Sequence, residues 1–201
     1  MAHAFAEIVF TPRVKALQAE DGSRASYARF EGGPAHHDRL GAREARFIEE
    51  RDSFYLATVG ETGWPYIQHR GGPAGFIRAL DEETFGFADF RGNRQHVSEG
   101  NLAGDGRAAF FFMDYANQTR LKLLGRVEVT TDPAVLERLS VPGYPAKVER
   151  AFLVRVAGFD WNCPQHITPR FTLEEVQQAT APLRARVAEL EARLAARPGG
   201  A

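Results

Sequence analysis

Three short stretches bring basic and polar side chains to the ends of extended segments. "QHRGG" (Gln68–Gly72) ends a strand-like run in the triplet Gln68, His69 and Arg70, followed by two glycines that let another group approach the backbone. "ADFRGNRQH" (Ala88–His96) sets Arg91 and Arg94 around a Gly-Asn turn, with Asp89, Asn93 and Gln95 beside them. A helix is expected to start there, from about Arg94 to Leu102. A helix N-terminus with arginines close by is a ready site for phosphate. "NQTRLK" (Asn117–Lys122) adds Gln118 and Arg120 at the start of another strand. Arginines at strand ends are usually solvated, but three such clusters on one small domain point to an anionic ligand.

A fourth stretch, "FDWNCPQHITPRF" (Phe159–Phe171), holds the only cysteine, one of two tryptophans, a histidine and two prolines. Cys163-x-x-His166 offers two zinc-type ligands where a structural zinc takes about four. A nucleophilic Cys163 paired with His166 would need a third, orienting residue, and the sequence names none. Neither a metal nor a nucleophile is therefore expected. The stretch is expected to line a ligand pocket. Trp161 supplies an apolar face with one N–H, His166 a donor toward ligand or substrate, and Arg170 positive charge. The competing reading is a brace, with Trp161 plugging the fold and Arg170 capping a carbonyl. The adjacent His36 and His37 read as solvated loop residues. No P-loop is present, and no G-x-G-x-x-G follows a strand, so a Rossmann-type cofactor site is not expected.

The elements that must carry these residues are mostly strands. Ala42 to Asp52 reads as a short helix, with Ala45 and Ile48 at helical spacing. Seven strands follow from the β-branched, aromatic and alternating runs: Ser53–Val59, Tyr66–Arg70, Gly75–Leu80, Thr84–Phe90, Ala108–Tyr115, Thr119–Thr130 and Ala151–Phe159. The near-continuous apolar run at Ala108–Tyr115 predicts a strand buried on both faces. Asp132-Pro133 reads as an N-cap with proline in the first turn of a helix through Leu139. Helices are missing between most strands, which excludes a parallel α/β sheet and predicts a mainly β, antiparallel barrel with peripheral helices. Fifteen phenylalanines against two methionines predict a rigid aromatic core.

The tail begins with a capping box, Thr172-x-x-Glu175. Pro182 is expected to end one short helix or open the next. Leu183, Val187, Leu190 and Leu194 then step by 4, 3 and 4, an amphipathic stripe for packing on the barrel or on a partner subunit rather than a long coiled coil. Residues 1–41 are mixed and read as an N-terminal extension, 42–171 as the barrel domain and 172–201 as a helical tail. The formal net charge of −1 argues against a nucleic-acid or membrane-surface role. No basic start leads into a long apolar run, and a single cysteine forms no internal disulfide, so a cytoplasmic protein is expected.

In order and content these motifs resemble the pyridoxamine 5'-phosphate oxidase-like flavoproteins, which bind FMN in a split β-barrel. The resemblance runs over "FIEERDSFYLATVGETGWPYIQHRGGPAGF", "TFGFADFRGNRQHVSEGNL" and "AAFFFMDYANQTRLKLLGRVEV", about Phe47 to Thr130, with "FDWNCPQHITPR" as a further match. It implies that Gln68, His69 and Arg70 hold flavin and phosphate. It implies that Asp89, Asn93, Arg94 and Gln95 grip the phosphate and ribityl chain. Gln118 and Arg120 would reach the same site, usually from the second subunit of a homodimer, and Trp161 and Arg170 would approach the flavin.

The Ser-Arg-Lys and Arg-Leu-His motifs of the true oxidases are replaced by Gly92-Asn93-Arg94-Gln95 and Gln165-His166-Ile167. Vitamin B6 oxidation is accordingly not expected. The resemblance implies an FMN-dependent oxidoreductase acting with a small-molecule substrate or electron donor. The alternatives are a flavin carrier or sensor without turnover, and a haem-binding relative using His69, His96 or His166.

Overall fold

Strand β1 (Ser53–Val59) buries Phe54, Leu56 and Thr58 and turns Tyr55 and Val59 outward. That two-residue period sets the inner and outer faces of the whole sheet. The computed structural model describes residues 3–33, 36–161 and 163–196. Around β1 it places β2 (Pro65–Gly71), β3 (Ile77–Ala79), β4 (Thr84–Phe90), β5 (Arg107–Asp114), β6 (Thr119–Thr130) and β7 (Val148–Trp161). All neighbours are antiparallel, in the order β2-β1-β5-β6-β7-β4-β3. The seven strands are those expected, with β3 trimmed to three residues. The fold is a mainly β split barrel.

Register stacks the aromatic side chains inside. Phe54 faces Phe112, Leu56 faces Phe110, and Phe87 faces Phe152. The Phe87 and Phe152 rings stack at 5.0 Å, and Phe54 meets Phe87 edge-on at 4.9 Å. The aromatic core is therefore as expected. Strand β5 corrects the expectation of burial on both faces. Ala108, Phe110 and Phe112 are buried, but Ala109, Phe111 and Met113 are only half-buried on the outer face. Among the described residues of one chain nothing fully covers that side.

The sheet curls without closing. β2 is an edge strand, yet Arg70 pairs with Asp89 of β4 and lies 5.0 Å over the Phe152 ring of β7. Side chains alone bridge this seam. Helix α4 (Ala42–Glu49) buries Phe47 and Ile48 against the barrel, and Glu49 accepts a hydrogen bond from Ala79 N at 3.0 Å. α5 (Val97–Gly104) and α6 (Pro133–Leu139) lie between strands. α6 is capped as expected, with Asp132 accepting from Ala134 N at 2.8 Å.

The N-terminal stretch that read as mixed forms three helices, α1 (Ala4–Val9), α2 (Pro12–Glu20) and α3 (Arg24–Glu31). α1 rests directly on β7: a Cβ at Gly158 would lie 2.6 Å from Phe5 N, so only glycine permits this approach. His3 is buried between Phe30 and His37, at ring distances of 4.2 and 4.3 Å. His37 is thus packed, edge-on to Phe159 as well, and is not the solvated loop residue its neighbours suggested. The tail corrects another expectation. α7 runs unbroken from Leu173 to Ala195 with Pro182 inside it, and its capping box joins Thr172 and Glu175.

Burial, and then the neighbouring His37, hold the His3 pKa below its ordinary 6.5; His36 adds to this and Asp160 opposes it. A depressed folded-state pKa means that the unfolded chain binds the proton more readily. The stabilisation from His3 is present above about pH 6.5 and is lost as pH falls below it. Amide protection factors in α1–α3, corrected for the intrinsic pH dependence of exchange, should fall as pH drops below about 6.5 in the wild type, and this loss should vanish in His3→Phe. At the seam, Arg70→Ala should destabilise the fold by about 1–3 kcal/mol in denaturant titration. That is less than the roughly 3–5 kcal/mol of an abandoned buried charge, because Arg150 remains 3.3 Å from Asp89.

Candidate functional site

The alternation in β2 sends Tyr66, Gln68 and Arg70 toward the seam, and Ile67 and His69 toward the outer face. The expected site residues therefore divide. Gln68, Arg70, Asp89, Asn93, Arg94 and Gln95 line one cleft at the seam, closed by the start of α5 and by β7. Gln68 accepts a hydrogen bond from Ser98 Oγ at 2.8 Å, which fixes its amide. Asn93 Oδ1 accepts from Gln95 N at 3.2 Å, making a tight turn. Arg94 and His96 have positive φ, 59° and 57°, so a right-handed helix cannot include them. The helix accordingly starts at Val97 rather than at Arg94.

The cleft is a charge network. Asp89 holds both Arg70 and Arg150. Glu149 holds Arg94 at 2.6 Å and lies 3.7 Å from both Arg91 and Arg150. Glu99 pairs with Arg150 and, at 2.6 Å, with His96. The hydrogen bond from Arg94, aided by the other arginines, keeps the Glu149 carboxyl below its usual range. Four guanidinium groups thus face three carboxylates, and each guanidinium already has a carboxylate neighbour. One donor is left over: the buried Nε of Arg70 has no hydrogen-bond partner among the described residues.

A second, larger pocket of about 710 Å³ opens on the outer face. Its floor is apolar, from Tyr55, Ile67, Phe111 and Met113, and Phe5 of α1 forms a wall. Its basic groups are Arg120, Lys122, His166 and Arg170, and among the described residues no carboxylate lines it. Lys122 is paired with Asp160 at 2.8 Å. Arg120 and Arg170 have no carboxylate partner among the described residues, and the buried Arg120 Nε has no hydrogen-bond partner there either. Arg170 lies 4.9 Å over the Tyr115 ring. Burial, then a hydrogen bond with Tyr55, raises the pKa of Tyr115. Gln118 Nε2 donates to Ile167 O at 2.7 Å and ties the C-terminal loop to β6.

His69 stands on this outer face, edge-on to Tyr55 at 5.7 Å. Trp161 belongs to neither pocket. It packs on Phe47 at 4.7 Å, lies beneath the Arg43 guanidinium at 4.1 Å, and donates from Nε1 to Glu44 Oε1 at 2.8 Å. In the single chain it braces α4. Cys163 is exposed. Sequence reasoning passed over Ser98, Glu99, Glu149 and Arg150 in the cleft and Tyr115 in the outer pocket. The charged run "KVER" (Lys147–Arg150) at the start of β7 was the available sign of Glu149 and Arg150; the contribution of α5 becomes visible only when the barrel curls.

Several solved structures are similar to this chain. HupZ of Group A Streptococcus is 17% identical; the match spans 66% of this chain and 100% of that one, with a TM-score of 0.51. An FMN-binding protein from Syntrophomonas wolfei, at 11% identity, matches 74% of this chain and 97% of its own with a TM-score of 0.48. A structure described as a putative pyridoxamine 5'-phosphate oxidase from Lactobacillus delbrueckii, at 18% identity, matches 61% and 94% with the same score. No curated protein matches significantly in sequence. No helix among the described residues is long and apolar enough to cross a membrane. The family model described as pyridoxamine 5'-phosphate oxidase matches residues 41–157, which is more than half of the chain and includes β1–β6 and most of β7. The chain belongs to the pyridoxamine 5'-phosphate oxidase family.

Proposed function

We propose that the protein is a cytoplasmic, homodimeric, FMN-dependent oxidoreductase whose flavin site joins the seam cleft of one protomer to the outer pocket of its partner. One observation carries this reading. The basic and polar residues expected around a single flavin lie in two separate places on one chain, and the outer place sits on an apolar sheet face that the described residues leave partly exposed. Tyr55, Val59 and Ile67 are exposed on that face, Ile67 by 66%. Apposing two protomers would cover these side chains and bring the two sets together.

The residues fit the group. Each place offers a buried guanidinium N–H without an acceptor, on Arg70 and on Arg120, as a ligand with anionic and carbonyl oxygens requires. At the seam, Arg70, Arg94 and the turn Asn93-Gln95 would hold the phosphate and ribityl chain, with Gln68 beside them. Asp89 positions Arg70 and Arg150 for this. From the partner, Arg120 and Arg170 would place positive charge beside the ring. His166 would donate to ring or substrate, and Gln118 would keep that loop in place. The apolar floor would exclude water from the ring. When bound, the flavin supplies hydride or electron transfer; the protein supplies orientation and charge. The small-molecule substrate would enter through the outer pocket beside His166. Trp161 would act on the site through α4 and the C-terminal loop.

The purified protein should show flavin absorption in the blue and bleach with NADH or NADPH. Flavin that resists reductants would indicate a carrier or sensor, and a Soret band a haem protein. Arg94→Ala should weaken FMN binding about ten- to a hundredfold, the range of one charge-assisted hydrogen bond. Glu149→Gln should not weaken it, because Glu149 competes with phosphate for Arg94. Fluorescence titration measures both, and wild-type affinity in Arg94→Ala removes the phosphate assignment.

A further inference from the structure

We propose that α7 forms a short, parallel, in-register two-stranded coiled coil with α7 of a second copy of this chain. Helix α7 has no buried residue along its 23 positions. Its apolar side chains are open to solvent: Leu173, Val176, Leu183, Val187, Leu190 and Leu194 are between 41% and 73% exposed. The barrel of the same chain therefore does not cover the stripe. An isolated helix of this length is marginal in water, and an internal proline costs it about 3 kcal/mol. Pro182 makes an unpartnered α7 harder to sustain still.

The spacing identifies what covers it. Leu173, Val176, Thr180, Leu183, Val187, Leu190 and Leu194 step by 3 and 4 in strict alternation over three heptads. Leu173, Thr180, Val187 and Leu194 take the a positions, and Val176, Leu183 and Leu190 take d. The two central a residues, Thr180 and Val187, are β-branched, and the d residues that follow them, Leu183 and Leu190, are leucines. That pairing favours two strands in parallel. Pro182 falls at c and points away from the seam between the helices.

Charge then decides orientation. Arg186 occupies g and Glu191 the following e. In a parallel pair each Arg186 meets the other helix's Glu191, twice by symmetry. In the antiparallel arrangement with full overlap, Arg184 would face Arg184 and Arg186 would face Arg186. Within the chain Arg186 reaches only Glu189, at 2.6 Å, an exposed pair of small worth.

The proposal does not depend on flavin, and its test reads flavin separately. In a Cys163→Ser background, Leu190→Cys should form an intersubunit disulfide rapidly under mild oxidation. Ala192→Cys, at the outward f position two residues away, should remain reduced. Adding Arg186→Glu to Leu190→Cys should lower the crosslinked fraction several-fold, and adding Glu191→Arg as well should restore it. These exposed charge changes leave the helix fold intact, so they hold even where Leu190→Cys weakens packing. Equal crosslinking at 190 and 192, or none at 190, overturns the parallel coil. So does a charge reversal without rescue. FMN titrated into the same samples tells this failure from failure of the flavin reading: bound flavin without crosslinking sinks only the coil.

Discussion

The fold turns on a sheet whose edge strand β2 meets β4 and β7 without a backbone ladder. Antiparallel strands normally satisfy their polar groups by pairing, and closing the barrel that way would have left no polar cleft. Here a guanidinium crosses the gap instead. Arg70 pairs with Asp89 while lying over Phe152, so one side chain covers the end of the aromatic core and fixes the distance between two strands. A paired, partly buried charge adds little net stability, because desolvation offsets most of the attraction. Its effect is positional: it keeps Asp89 turned toward Arg150, and Arg150 toward Glu99 and Glu149.

The period of two in the strands then divides the chemistry. Residues 66, 68 and 70 of β2 face the seam, and residues 67 and 69 face outward. The same alternation in β1, β5 and β6 buries Phe54, Phe110 and Leu121 while presenting Tyr55, Phe111 and Arg120 on the other side. Consecutive residues of one motif therefore serve different surfaces. His69, between Gln68 and Arg70 in sequence, cannot share their cleft without a register slip that would turn Tyr66, Gln68 and Arg70 away from the seam.

The strands were legible because their side chains alternate or run apolar between clear turns, and the Asp132-Pro133 and Thr172-Glu175 caps were legible because they are local. The N-terminal helices were not. α1 has only six residues and owes its place to Gly158 and to packing of Phe5, which are tertiary facts. Thr11-Pro12 was a usable start signal for α2, since Thr11 Oγ1 does accept from Val14 N at 3.4 Å. The start of α5 was placed too early because nothing in the residue types of Arg94 or His96 announces a positive φ. Pro182 was read as a break, but its neighbours continue the helix through it. The two basic clusters could be found in the sequence; their separation could not, because it depends on how far the sheet curls.

The two clusters also differ in how their charge is held, and this bears on how an anion would be received. At the seam every arginine leans on a carboxylate, so a phosphate there must replace Glu149 or add to the network rather than fill an empty site. On the outer face Arg120 and Arg170 stand over an apolar floor with no such competitor among the described residues. Unpaired positive charge near low-dielectric walls extends its field further than a neutralised pair does. In the proposed flavin site the outer pocket would attract the anion, and the seam would orient it once it arrives. Arg94 suits the orienting role. Its side chain is half exposed, its short contact is to Glu149, and the left-handed turn beneath it holds it clear of the helix that follows.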